Sequence, residues 1–217
     1  MDQPRFSIGE AFHYGWEKTI NNLGFMLAAI VLVIVIQAAF AYAQIALEDA
    51  VFLLLIMTIA SAVVGVVVEM GFLKIALKVY DGLEPDFSDL FGHFHLFLYY
   101  FAAGLLYGVM VIFGLILFII PGIMLAVQFY FAFYFIVDKE MGPITALDKG
   151  SALSRGSRWD IFVFFLAVIV LNILGFLCLV VGLILTIPMS LFATAYVYRK
   201  LLVGFETEQV QIEAATE

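Results

Sequence analysis

The sequence predicts an all-α integral membrane protein, with six transmembrane helices arranged as three helical hairpins and an interfacial amphipathic segment before each. Three observations lead there. Hydrophobic residue types make up 65% of the 217 residues and charged types only 13%, where a soluble domain is nearer half apolar and a quarter charged. Apolar stretches recur at 23–46, 50–73, 96–117, 121–137, 161–182 and 184–202. With six crossings, all ten Lys and Arg residues fall on one side.

Each element follows in turn. Residues 7–22, SIGEAFHYGWEKTINN, place Ile8, Phe12, Gly15, Trp16 and Ile20 near helical spacing, with Glu10, Glu17 and Lys18 elsewhere. Such a segment suits the plane of the bilayer interface. Residues 23–80 form the first hairpin, and the polar island Gln44, Glu48 and Asp49 marks its turn. A helix rises about 1.5 Å per residue, so a hydrocarbon core of about 30 Å takes about 20 residues. From Phe97 to Val137 there are 41 residues without a charged side chain, and from Ile161 to Tyr198 another 38. Each run is too long for one crossing and must fold back.

Gly114, Pro121 and Gly122 mark the fold-back in the first run, and Gly182 and Pro188 in the second. Proline suits the first turn of a helix and interrupts its interior. The second hairpin therefore takes 86–137 with its polar collar DFSDLFGHF, and the third takes 143–203 with the collar PITALDKGSALSRGSRW. The two echo each other, as GLILFIIPGIMLA and GLILTIPMSLFA. The returning helices, about 121–139 and 188–203, are short, so a re-entrant hairpin is the rival reading. Residues 1–204 form a single membrane domain, and the acidic tail 205–217 reads as disordered.

The charge pattern orients the chain. The basic residues lie beside the N-terminus, the two even-numbered loops and the C-terminus, which puts both termini in the cytoplasm and the protein in the inner (cytoplasmic) cell membrane. The start lacks a cleavage site after a short apolar core, so no signal peptide is expected. A net charge of −8 leaves no basic surface for nucleic acid.

Residue types limit the chemistry. A single cysteine, Cys178, excludes an internal disulfide. His93 and His95 stand at i and i+2 and the third histidine is His13, which makes no metal-ligand spacing. Neither a catalytic constellation nor a cofactor is expected. Glu69 is the one ionisable residue clearly inside an apolar run, and with Gln128, Asn172 and Gln37 it forms the candidate intramembrane polar site. The competing reading places Glu69 near the headgroups and uses the amides to fasten helices together. Lys149, Arg155 and Arg158, with Trp159 and Trp16, are the candidate contacts to lipid headgroups. Gly104 and Gly108 form a Gly-x-x-x-Gly pair, which reads as close helix packing.

The stretches IGEAFHYGW, GFLKIALKVYDGLEPDFSDLF, LFIIPGIMLA, IVDKEMGPITALDKGSALSRGSRWDIF and YVYRKL resemble a group of prokaryotic multi-pass membrane proteins. The group comprises the YciC-like proteins and those labelled as a glycerophosphodiester phosphodiesterase membrane domain. The resemblance spans about residues 6–204. Its recurrent positions fall here on Gly9, Trp16, Asp81, Gly82, Phe87, Leu90, Phe91, Pro121, Gly122, Asp138, Ala146 to Ser151, Gly156 and Trp159. It lends no catalytic residues, and this chain has no room for the soluble catalytic barrel that the label implies.

Three functions compete. The first is a non-enzymatic envelope protein with an accessory, assembly or lipid-interacting role. Its partners would be membrane lipids, a second copy or another membrane protein. The second is a transporter or channel for a lipidic or small amphiphilic compound, which needs a polar cavity around Glu69. The third, more remote, is a lipid-modifying enzyme.

Overall fold

The computed structural model describes residues 6–178 and 182–216, with side chains to Thr207. All of the regular structure there is helical. In order it comprises α1 (Ile8–Asn21), α2 (Leu23–Ala46), α3 (Val51–Tyr80), 3-10 turns at Phe87–Leu90 and Phe94–Leu96, α4 (Phe97–Leu117), α5 (Ile119–Phe129), α6 (Ala132–Lys139), α7 (Pro143–Leu153), α8 (Arg158–Leu177) and α9 (Leu183–Thr216). Among the described residues, five stretches are long and apolar enough to cross a bilayer: α2, α3, the segment ending in α4, α5 with α6, and α8. The protein is a multi-pass membrane bundle.

The helices pair as α2 with α3, α4 with α5, and α8 with α9. The pairs then close a ring, through α3 against α4 and α6, α5 against α8, and α9 against α3. Glycines draw two of the pairs together. A methyl on Gly114 would stand 2.8 Å from the Gly122 Cα, and Gly182 lies equally tight on Gly175. The fold-back of the first run is at Phe118, whose extended backbone separates α4 from α5, with Pro121 in the first turn beyond it. Small residues let backbones approach where lipid supplies no hydrophobic drive.

Pro188 corrects the second fold-back. It lies inside α9, five residues past the helix start at Leu183, and not at its first turn. Before it, α8 ends at Leu177, and residues 179–181 lie outside the described part. The tail is also corrected, since α9 continues as helix to Thr216. Its Glu, Gln and Ala content carries good helix propensity once the preceding turns have nucleated it. Gly104 and Gly108 are a third correction. Around Gly108 nothing lies within 4 Å of a built methyl, and at Gly104 only the Phe133 ring does, at 3.8 Å. The pair makes no close helix contact.

Burial is concentrated at one end. Val67 to Val79, Tyr100, Phe131 to Val137 and Phe192 to Leu202 hold most of the core, with Tyr134, Tyr198 and Phe131 among its largest members. The rings of Tyr134 and Tyr198 lie 5.0 Å apart and those of Phe131 and Tyr198 6.0 Å apart, so aromatic packing fills the ring's centre here. Toward the hairpin tips the pairs separate. Between Ile30 and Val66 no residue is buried, and between Gly104 and Ala126 only Gly114 and Gly122 are.

The three collars dock on the buried end, each through a glycine. In α1, Gly15 presses on the Met189 carbonyl of α9. Gly71 of α3 receives the Leu90 backbone of the second collar, and Gly150 of α7 sits 2.7 Å, measured from a built methyl, from the Ala132 amide. This last contact accounts for the break between α5 and α6. The Ser154 hydroxyl donates to the Gln128 carbonyl at 3.1 Å, the acceptor that Ala132 N–H would use in a continuous helix. The chain ends α6 at Glu140, in left-handed backbone at φ 52°, and restarts at Pro143.

The second collar is fixed by charge as well. Asp86 caps the 3-10 turn by accepting from Ser88 N–H at 2.7 Å, while Asp89 accepts from Asp86 N–H at 2.9 Å and from Lys78 Nζ at 2.7 Å. The hydrogen bonds from Ser88 hold the Asp86 carboxyl below its ordinary value. A depressed carboxyl keeps its cap above the unfolded value and releases it as pH falls through the lowered one. The Ser88 amide resonance should therefore titrate with a midpoint below about 3.9, the ordinary aspartate value. A midpoint at that value would mean the cap does not form.

Candidate functional site

The four polar residues expected inside the membrane occupy four separate places. Gln37 of α2 accepts from Ser61 of α3 at 3.0 Å and closes the first hairpin. Asn172 of α8 donates to Ser190 of α9 at 2.9 Å and closes the third. Gln128 donates to Ser151 of α7 at 2.6 Å, so it ties a collar to the second hairpin. None of them bonds to Glu69. The amides act as fastenings, each worth about 1 kcal/mol, and the single polar site expected from the sequence is not assembled.

Glu69 is different. Its Oε1 accepts from the Tyr100 hydroxyl of α4 at 2.9 Å. The side chain is exposed and lines a groove of about 390 Å³ between α2, α3 and α9. The other lining residues are Met26, Ile30, Ile34, Phe72, Leu73, Leu183, Ile184, Ile187 and Leu191, all apolar. Among the described residues no Lys, Arg or His pairs with Glu69. Two further grooves open between helices. One, of about 310 Å³, lies between α4, α5 and α8 around Tyr107, Ile123 and Phe165. The other, of about 450 Å³, lies around Phe12, Val163, Leu166 and Met189. Neither has a charged side chain in its lining.

The candidate headgroup contacts lie around the buried end. Trp16 is 47% and Trp159 69% exposed, and Arg155 is exposed. The Trp159 ring packs on Phe162 at 5.2 Å, and Lys149 stands over the Phe205 ring. Arg158 is half-buried, with an Nε that has no partner among the described residues. These residues do not converge on a common point through any contact between them.

Sequence reasoning missed the strongest polar constellation. Arg199 of α9 makes two parallel bonds to Asp138 at the end of α6, at 2.8 and 2.9 Å, and a third to Asp81 at 2.6 Å. The Tyr198 hydroxyl also donates to Asp138, at 3.1 Å. Arg199 and Asp138 are mostly buried, with side chains 14% and 9% exposed. Asp81 is offered by the end of α3, where Gly82 at φ 77° reverses the chain and Leu83 N–H returns to the Lys78 carbonyl at 2.9 Å. One guanidinium thus joins α9 to the ends of α3 and α6. A signal was present: Asp138 ends the first charge-free run and Arg199 the second, so the two charges enter at one level.

The His93 and His95 rings are tilted by 32° with centroids 6.3 Å apart, and His95 meets Glu140 at 3.6 Å. Burial, then the nearby Lys74 charge, holds His93 below its ordinary value. Among the described residues no three His, Cys, Asp or Glu side chains gather as a metal site would require. No family model, curated protein or solved structure matches this chain.

Proposed function

We propose that this is a non-enzymatic accessory protein of the inner (cytoplasmic) cell membrane, which holds lipid acyl chains between three diverging hairpins. On this reading α9 supplies a sixth crossing, both termini face the cytoplasm, and the chain is a YciC-like protein. The observation that carries it is the contrast between fastenings and grooves. Gln37, Gln128 and Asn172 each join two elements, while these three grooves are lined by aliphatic and aromatic side chains, with Glu69 the one charged member. An apolar slot facing hydrocarbon is filled by whatever apolar chains surround it.

Mass spectrometry of the intact protein, released from membranes and stripped with mild detergent, tests this. The wild type should keep bound lipid, and Ile187→Trp, which fills one groove, should keep less. A wild type that releases all lipid under conditions that preserve its helicity would overturn the reading. Glu69 at the groove edge favours a second reading, transport of a lipidic compound. That reading requires lipid flux in proteoliposomes that Glu69→Gln reduces.

A further inference from the structure

We propose that the groove between α2, α3 and α9 seats an amine-bearing membrane lipid, with its ammonium on the Glu69 carboxylate and an acyl chain along the groove toward the hairpin tips; this rests on the acyl-chain reading above. Three observations converge. The first is the groove's shape. Met26, Ile30 and Ile34 recur at every fourth position on α2, as do Leu183, Ile187 and Leu191 on α9. Each set forms one stripe of a helix, about 12 Å long, and the two stripes line the same slot.

The second is where the charge stands. Glu69 follows Val51 by 18 positions on an unbroken helix, a rise of about 27 Å against a hydrocarbon core of about 30 Å. If the helix starts at one face of the core, Glu69 lies just inside the other, at the depth where headgroups begin. A lipid of that leaflet therefore has its polar end beside Glu69 and its chain along the stripes.

The third is charge complementarity. Tyr100 occupies Oε1 as a neutral donor, and among the described residues no protein cation offsets the carboxylate. A carboxylate at the edge of hydrocarbon is costly alone and is stabilised by a cation that also donates hydrogen bonds. A primary ammonium meets both needs. An anionic headgroup would be repelled.

The test offers delipidated protein an equimolar mixture of phosphatidylethanolamine and phosphatidylglycerol with identical acyl chains, and reads the first bound lipid by native mass spectrometry. The wild type should favour phosphatidylethanolamine about tenfold, the ratio expected of about 1.4 kcal/mol from a charge-assisted hydrogen bond. Glu69→Gln keeps an acceptor for Tyr100 but loses the charge, and should bind both lipids alike. Tyr100→Phe removes the same helix-to-helix bond and leaves the charge, so it should retain the preference. Equal binding by the wild type overturns the proposal while leaving the acyl-chain reading in place. So does a preference that survives Glu69→Gln or is lost in Tyr100→Phe. No binding of either lipid overturns both.

Discussion

Asp138→Ala should cost about 3–5 kcal/mol of stability, the largest loss expected from any single polar substitution in this protein. Removing one member of a mostly buried ion pair leaves the other desolvated and unpartnered. Here the stranded group would be Arg199, whose side chain is only 14% exposed and which would keep Asp81 alone. Tyr198 would lose its acceptor in the same step. Asp81→Ala makes the internal comparison. Its side chain is 42% exposed, and an ion pair that water reaches is worth about 0–1 kcal/mol. Denaturant unfolding in detergent micelles, followed by helicity, should separate the two variants clearly. Equal losses would mean that Arg199 is held by packing and not by Asp138.

Gly71→Val should be the most damaging substitution among the glycines. A side chain there meets the Leu90 carbonyl oxygen and carbonyl carbon at 2.5 and 2.7 Å. That neighbour is backbone, so no side-chain rotation relieves the overlap. Either α3 bends or the second collar leaves its seat, and overpacking of this kind costs about 1–3 kcal/mol or more. The collar carries Asp89, the partner of Lys78, so its release should also free that pair. Gly108→Ala is the control. It meets nothing within 4 Å and should be neutral or stabilising by about 0.5–1 kcal/mol, since alanine is the better helix former. Faster amide exchange over 87–96 in Gly71→Val, with exchange over α4 and α5 unchanged, would localise the damage to the collar.

The fold class was legible because composition and run length admit few alternatives. Charge-free runs of 41 and 38 residues must double back in a bilayer, and Gly114, Gly122 and Gly182 lie where the backbones meet. Gly104 and Gly108 show the limit of the same reasoning. Their spacing marks one face of a helix but says nothing of what stands opposite, which is open space and a single ring edge. Pro188 misled because it stands five residues past the start of α9, beyond the amides that lack intrahelical partners, where the helix forgoes one bond and still continues. The candidate site was legible one residue at a time. Glu69 stood out by its charge, but its neighbours in the groove come from α2 and α9, and no local pattern announces which aliphatic stripes will face each other. Arg199 and Asp138 are 61 positions apart, and their pairing follows only once both hairpins are closed.

The glycine-closed hairpins bear on how the chain enters the bilayer. Each of the second and third pairs fastens to itself, through Gly114 with Gly122 and Gly175 with Gly182, and their leading ends carry no charged side chain. A pair of this kind can be threaded as one unit. Its backbone bonds are satisfied within each helix, and no hydrated group has to be dragged through hydrocarbon ahead of it. On the topology proposed above, the first pair alone must deliver Glu48 and Asp49 to the far side. Biogenesis should therefore have one demanding step, the earliest, made while α2 and α3 leave the ribosome. The remaining pairs can follow by partition between translocon and lipid, and Arg199 would lock the assembly only when the last helix arrives.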